Sequence, residues 1–104
     1  MLELNKNNFE KEVKNNKILV LDAWAVWCAP CRITSPIFED LSKEMKNITF
    51  AKLNVDENQE IASKFGIMSI PTFIIFKDGK EADRIIGANP RSLLKSKIEA
   101  VLKN

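Results

Sequence analysis

Cys28 and Cys31 are the only two thiols in a chain of 104 residues. They lie in the stretch Trp24-Ala25-Val26-Trp27-Cys28-Ala29-Pro30-Cys31. An apolar segment from Ile18 to Ala25, broken only by Asp22, leads into the pair, and a helical pattern follows it. A thiol at a strand-to-helix junction meets the unpaired N–H groups and partial positive charge of the helix N-terminus, which favour the thiolate and lower its pKa. Cys28 is therefore expected at or just before the helix start as the more exposed thiol, with Cys31 one turn in and more buried. That asymmetry suits thiol–disulfide exchange: Cys28 attacks a substrate disulfide, and Cys31 resolves the mixed disulfide that results. The competing reading, two inert small hydrophobes in a core, sits poorly with a Pro between the cysteines, a Trp before them and a helix after them.

Asp22 is the second residue with chemical potential. A carboxylate inside an apolar strand loses its hydration, which raises its pKa toward neutrality and suits proton exchange with a thiol. An edge position open to solvent is the alternative. The chain has no His, so with two Cys it cannot build a Cys/His tetrahedral zinc site alone; a zinc shared between two chains is the remaining metal arrangement.

The elements that must position these groups follow from periodicity. Leu2-Glu3-Leu4 is a short strand candidate, and Asn7 with Glu10 three residues on has the form of a capping box for a helix carrying Phe9 and Val13. That helix ends in the cluster Lys14 to Lys17. Ile18 to Ala25 is apolar on both strand faces, as a central strand requires. After the cysteines, Ile33, Ile37, Leu41 and Met45 recur four apart with Phe38 beside them, the expected buried stripe of a helix kinked at Pro36. Thr49 to Asn54 reads as a strand, and Asn58 to Phe65 as a helix closed by Gly66. Thr72 to Phe76 is a strand, Lys77-Asp78-Gly79-Lys80 a hairpin turn, and Arg84 to Ile86 its partner. Asn89-Pro90 starts a last helix with Leu93, Leu94, Ile98, Val101 and Leu102 as its buried stripe. The order is βαβαβαββα, an α/β fold with a central mixed β-sheet flanked by helices, and one domain over residues 1–104.

Composition narrows the function classes. The chain is 45% hydrophobic, enough for a packed core. Sixteen basic against fourteen acidic side chains leave a formal charge of +2, interspersed, which predicts neither a nucleic-acid nor a membrane-surface footprint. No apolar run approaches the ~20 residues of a bilayer span. Met1 to Lys6 lacks a basic region followed by an apolar one, so no signal peptide and a cytoplasmic location are expected. Two cysteines in a leaderless chain are more often catalytic or metal-binding than a structural bridge.

Trp27-Cys28-Ala29-Pro30-Cys31, with Asp22 six residues before the first Cys, resembles the active site of the thioredoxin family, and the element order is similar to the thioredoxin fold over nearly the whole chain. The resemblance implies a protein-disulfide reductase, with no bound cofactor, that receives electrons from a separate flavoprotein, a thioredoxin reductase. A Gly-rich dinucleotide loop is absent from this sequence. Oxidised proteins are the implied substrates and a monomer the implied state. Asp22 matches the family's buried Asp, which makes it the general acid/base for Cys31. Lys52 matches the lysine that pairs with that Asp, an ordinary solvated strand lysine being the alternative. Ile70-Pro71 matches the family's cis-proline, which faces the cysteines, shields them from metals and offers the backbone of the preceding residue to an extended substrate. Trp27, Ala29, Pro30, Met68, Ile70, Ile86, Gly87 and Ala88 would form an apolar docking rim, with Gly87 where a partner backbone comes close; simple core packing is the alternative, above all for Met68 and Ile86.

Two departures stand out. Ala29 replaces the usual Gly and should stiffen the first helical turn by up to ~1 kcal/mol. Ser69 stands where Gly is common before Ile-Pro. Because the residues between the cysteines tune redox poise, a thiol oxidase or isomerase of the same fold remains an alternative, as does a non-catalytic binding module using the rim.

Overall fold

Side-chain alternation along the second strand organises the molecule. In a computed structural model, which describes residues 1–103, that strand (β2, Ile18–Trp24) is buried along nearly its whole length. Ile18 and Val20 point into one core and Leu19 and Leu21 into another, as the two-residue repeat of a strand dictates. β2 is central in the five-stranded order β1-β3-β2-β4-β5. β1 (Leu2–Glu3) and β3 (Thr49–Asn54) run parallel, as do β3 and β2, while β4 (Thr72–Lys77) is antiparallel to both β2 and β5 (Lys80–Ile86).

The first core is closed by α2 (Ala29–Glu44) and α4 (Arg91–Lys103), through Phe38, Leu41, Leu94, Ile98 and Val101. Phe38 packs on Phe50 and Phe73 at ring separations of 5.2 and 5.7 Å. The second core is closed by α1 (Phe9–Asn15) and α3 (Gln59–Lys64), through Phe9 and Val13 with Ile61 and Phe65 against them. Arg91 of α4 ties the outer helices together, meeting Asp40 at 2.9 Å and Glu44 at 2.6 Å on α2. The element order read from sequence is the observed one.

Several details differ. The first helix starts one residue later than the Asn7 capping box requires: Asn8 is the N-cap and makes no side-chain cap bond, because its Oδ1 accepts from the Asn5 N–H at 2.7 Å. Ile33 is 68% exposed, and the buried face of α2 is Cys31, Thr34, Phe38 and Leu41. A stripe spaced strictly at four drifts around a helix of 3.6 residues per turn, so its first member leaves the sheet-facing side. Leu93 and Leu102 are likewise partly exposed at the flanks of α4. α2 continues through Pro36 as one helix. β5 is longer than Arg84 to Ile86, because pairing begins at once after the turn, Lys77 opposite Lys80; its exposed first half is polar, as an edge strand permits. Asp78 and Gly79 both have positive φ, 51° and 83°, the geometry of a two-residue type I′ hairpin turn. Gly66, at φ 63°, closes α3: its N–H donates to Ser63 O and that of Ile67 to Ala62 O, the paired bonds of a Schellman cap.

Candidate active site

The chain leaves β2 at Trp24 and re-enters regular structure at Ala29, which places Cys28 as the N-cap of α2. Its Sγ accepts the N–H of Cys31 at 3.2 Å, so the sulfur occupies the position where an N-cap oxygen ordinarily satisfies a free helix donor. Cys28 and Cys31 are joined by a disulfide. The expected difference in exposure is absent in this state: Cys28 is 2% and Cys31 4% exposed. Both cysteines pack with Ala25 against Trp24, Val55 and Ile70.

Two loops from the β4–β5 end complete the surround. The Ile70–Pro71 peptide bond is cis, and the Ile70 carbonyl oxygen lies 3.8 Å from Cys28 Sγ. Gly87, at φ 93°, donates its N–H to Pro71 O at 2.8 Å and so fixes the second loop beside the first. Trp27, 66% exposed, is held by a bond from its Nε1 to Asp56 Oδ2 at 2.8 Å. Ala29, Pro30, Met68, Ile86 and Ala88 are exposed, while Ile70 and Gly87 are half-buried. Pro71 is buried.

Asp22 shares the phase of Ile18 and Val20, so its side chain faces α2, and it is 1% exposed. Its Oδ1 has no hydrogen-bond partner among the described residues. Burial pushes its pKa up to about 7, and the charge of Lys52 opposes that rise. Lys52 stands opposite Asp22 in the β2–β3 register, yet its Nζ donates to Ser35 Oγ at 2.8 Å and lies over the Trp24 ring, 5.4 Å from its centroid. No ion pair joins Lys52 to Asp22 among the described residues. A crevice of about 350 Å³ is lined by Asp22, Trp24, Cys31, Arg32, Ser35 and Lys52. It connects the buried carboxyl to the second cysteine.

The sequence-predicted residues therefore converge from four elements on one end of the sheet. Asp56 and Ser35 were not among them. Asp56 is far from Trp27 in sequence and carries no local signal; Ser35 lies four residues after Cys31, a spacing that puts both on one helix face. A larger hollow of about 610 Å³ between α1 and α3 is lined by neither cysteine, and no cluster of His, Cys, Asp and Glu able to hold a metal occurs among the described residues.

A disulfide between closely spaced cysteines at a helix N-terminus, with an unpaired buried carboxyl reached through a crevice beside the second of them, defines a thiol–disulfide oxidoreductase site. Known proteins agree in sequence and in shape. The thioredoxin family profile matches residues 1–100. A thioredoxin from Alicyclobacillus acidocaldarius subsp. acidocaldarius is 42% identical over 103 residues, 98% of each chain. One from Mycoplasmoides gallisepticum is 46% identical over 91 residues, 88% of this chain and 91% of the other. The structure of Fasciola hepatica thioredoxin superposes with a TM-score of 0.90 at 42% identity, covering 96% of this chain and 98% of that one. Oxidised mitochondrial thioredoxin 3 from Saccharomyces cerevisiae gives 0.90 at 35% identity, covering 96% and 94%. The chain belongs to the thioredoxin family and is a thiol–disulfide reductase.

Proposed function

We propose that Cys28 is the attacking thiolate and Cys31 the resolving thiol in the reduction of protein disulfides. The observation that carries this is the place of Cys28 Sγ at the N-cap of α2, accepting the Cys31 N–H. In the dithiol form the same donor and the helix dipole stabilise a negative sulfur there. Cys28 forms a bond to one sulfur of the substrate disulfide, and the other substrate sulfur leaves as a thiolate. Cys31 gives its proton to Asp22 through the crevice and attacks Cys28 Sγ. The Cys28–Cys31 disulfide closes and the second substrate sulfur leaves, so two electrons have passed to the substrate. A carboxyl with a pKa of about 7 is matched to this exchange at neutral pH. Lys52 moderates its charge from the outer end of the crevice.

The backbone of Ile70 offers an edge to an extended substrate segment, and Trp27, Ala29, Pro30 and Gly87 with Met68 and Ile86 form the apolar rim around it. Pro71 shapes this groove and covers the sulfurs. The protein works as a single-domain monomer in the cytoplasm, reduced in turn by a separate thioredoxin reductase and holding no cofactor. No helix among the described residues is long and apolar enough to cross a membrane.

The test is a pair of variants assayed with a disulfide-bonded protein. Cys28→Ser is expected to abolish reduction, and Cys31→Ser to accumulate a mixed disulfide through Cys28 that gel electrophoresis without reductant detects. Retained turnover in Cys28→Ser, or no adduct in Cys31→Ser, would overturn the assignment.

A further inference from the structure

The ammonium of Lys52 turns away from the carboxyl it stands beside. Its residue pairs with Asp22 in the sheet, but its Nζ donates to Ser35 Oγ at 2.8 Å and rests on the Trp24 ring. Asp22, Cys31, Ser35 and Lys52 line one crevice, with Ser35 and Lys52 at its half-buried end. Lys52 also borders a second hollow, on the side of Glu3 and Glu57. A lysine ammonium is strongly hydrated and sits on a flexible stem, so without a fixed acceptor it has water and two acidic side chains to move toward. We propose that Ser35 is a positioning residue, whose hydroxyl anchors the Lys52 ammonium in the Asp22 crevice, close enough to act on the carboxyl electrostatically.

The surroundings of Asp22 make this anchor consequential. From α2 it is faced by Cys31 and Arg32, from β3 by Lys52, and from β4 by Phe73, which does not titrate. The Arg32 guanidinium is engaged elsewhere, donating to Val26 O at 2.9 Å. Lys52 is the charge that opposes the effect of burial on Asp22. Loss of the Ser35 hydroxyl frees the ammonium to leave, and Asp22 then keeps its proton to higher pH.

In the disulfide form neither cysteine titrates, so the Asp22 carboxyl can be followed across pH by carbon-13 NMR without interference from the thiols. Ser35→Ala is expected to raise its midpoint by roughly half a pH unit, part of the effect a cation at this range exerts, and Ser35→Thr to leave it in place. Lys52→Met should raise the midpoint at least as far, and Ser35→Ala added to Lys52→Met should change nothing more. A midpoint that is unmoved or lowered in Ser35→Ala, or a rise that persists without Lys52, would overturn the proposal. Its consequence for catalysis rests on Asp22 being the proton acceptor of Cys31. Single-turnover resolution of a mixed disulfide should shift its pH profile in step with the carboxyl. A shifted titration with an unshifted rate profile sinks the proton-transfer reading and leaves the positioning role standing.

Discussion

Replacing Asp22 by Asn should make the stability of the oxidised protein less dependent on pH. Asp22 is 1% exposed, its Oδ1 has no partner among the described residues, and burial lifts its pKa from 3.8 to about 7. A carboxyl with a raised folded-state pKa favours the folded state fully only while it is protonated in both states. Between pH 3.8 and about 7 the unfolded chain ionises and the folded one does not, so stability falls across that window and then levels off. At 1.36 kcal/mol per pH unit, an interval of roughly three units costs the folded protein about 4 kcal/mol, a large share of the ~5–15 kcal/mol that holds a domain folded. Asn does not ionise, so it removes this loss, while its buried amide adds a penalty of about 1–3 kcal/mol that is the same at every pH. The stability difference between Asp22→Asn and the parent should therefore move in favour of the variant by about 4 kcal/mol from pH 4 to pH 8. Guanidinium unfolding followed by tryptophan fluorescence reads this directly. With a slope of roughly 3–4 kcal/mol per molar, the gap between midpoints should change by roughly 1 M. A gap that stays constant across the range would refute the claim that this carboxyl is buried at a cost.

Other perturbations reach different parts of the structure. Trp27→Ala removes an exposed ring held by Asp56 at 2.8 Å; it should raise KM several-fold for a protein disulfide and barely alter reduction of a small soluble disulfide, and equal losses on both would count against a docking role. Phe38→Ala empties the contact between α2, β3 and β4 and should destabilise by about 3–5 kcal/mol in denaturant titration; a cost under about 1 kcal/mol would show that the core closes over the gap. Gly66→Ala adds a Cβ that meets nothing within 4 Å at φ +63°, so its cost should be the backbone's alone, about 1–2 kcal/mol by thermal or chemical unfolding, and a neutral result would mean that the turn relaxes.

The legible part of this protein was the part written in local pattern. Ile18 to Ala25 reads as a central strand because both of its faces are apolar, and β2 is flanked on both edges and buried on both faces. Asp78-Gly79 announces a tight hairpin because few residue pairs tolerate two consecutive positive φ values. Cys28, Pro30 and the helix pattern behind them place a thiol at a helix N-terminus by local pattern alone, and Asp22 stands out as the one charge in an apolar run. Within-element spacing was less reliable about direction. Ile33, Leu93 and Leu102 fit an apolar stripe, but the line along which a helix rests on the sheet is set by the residues it packs against, as Phe38 of α2 does on Phe50 and Phe73, not by the helix itself.

Sequence alone thus determined the order of elements, the two sulfurs and the carboxyl, because each depends on residue type and near neighbours. Tertiary structure decided the rest. It brought Ile70 to within 3.8 Å of Cys28 Sγ from a distant loop, tied Trp27 to Asp56, and turned Lys52 toward Ser35 instead of the aspartate opposite it. It also buried Cys28 as deeply as Cys31 in the disulfide state. Such contacts join residues tens of positions apart, and their geometry is fixed only when the sheet register and helix crossings bring separate segments to one place, which periodicity along a single segment does not encode.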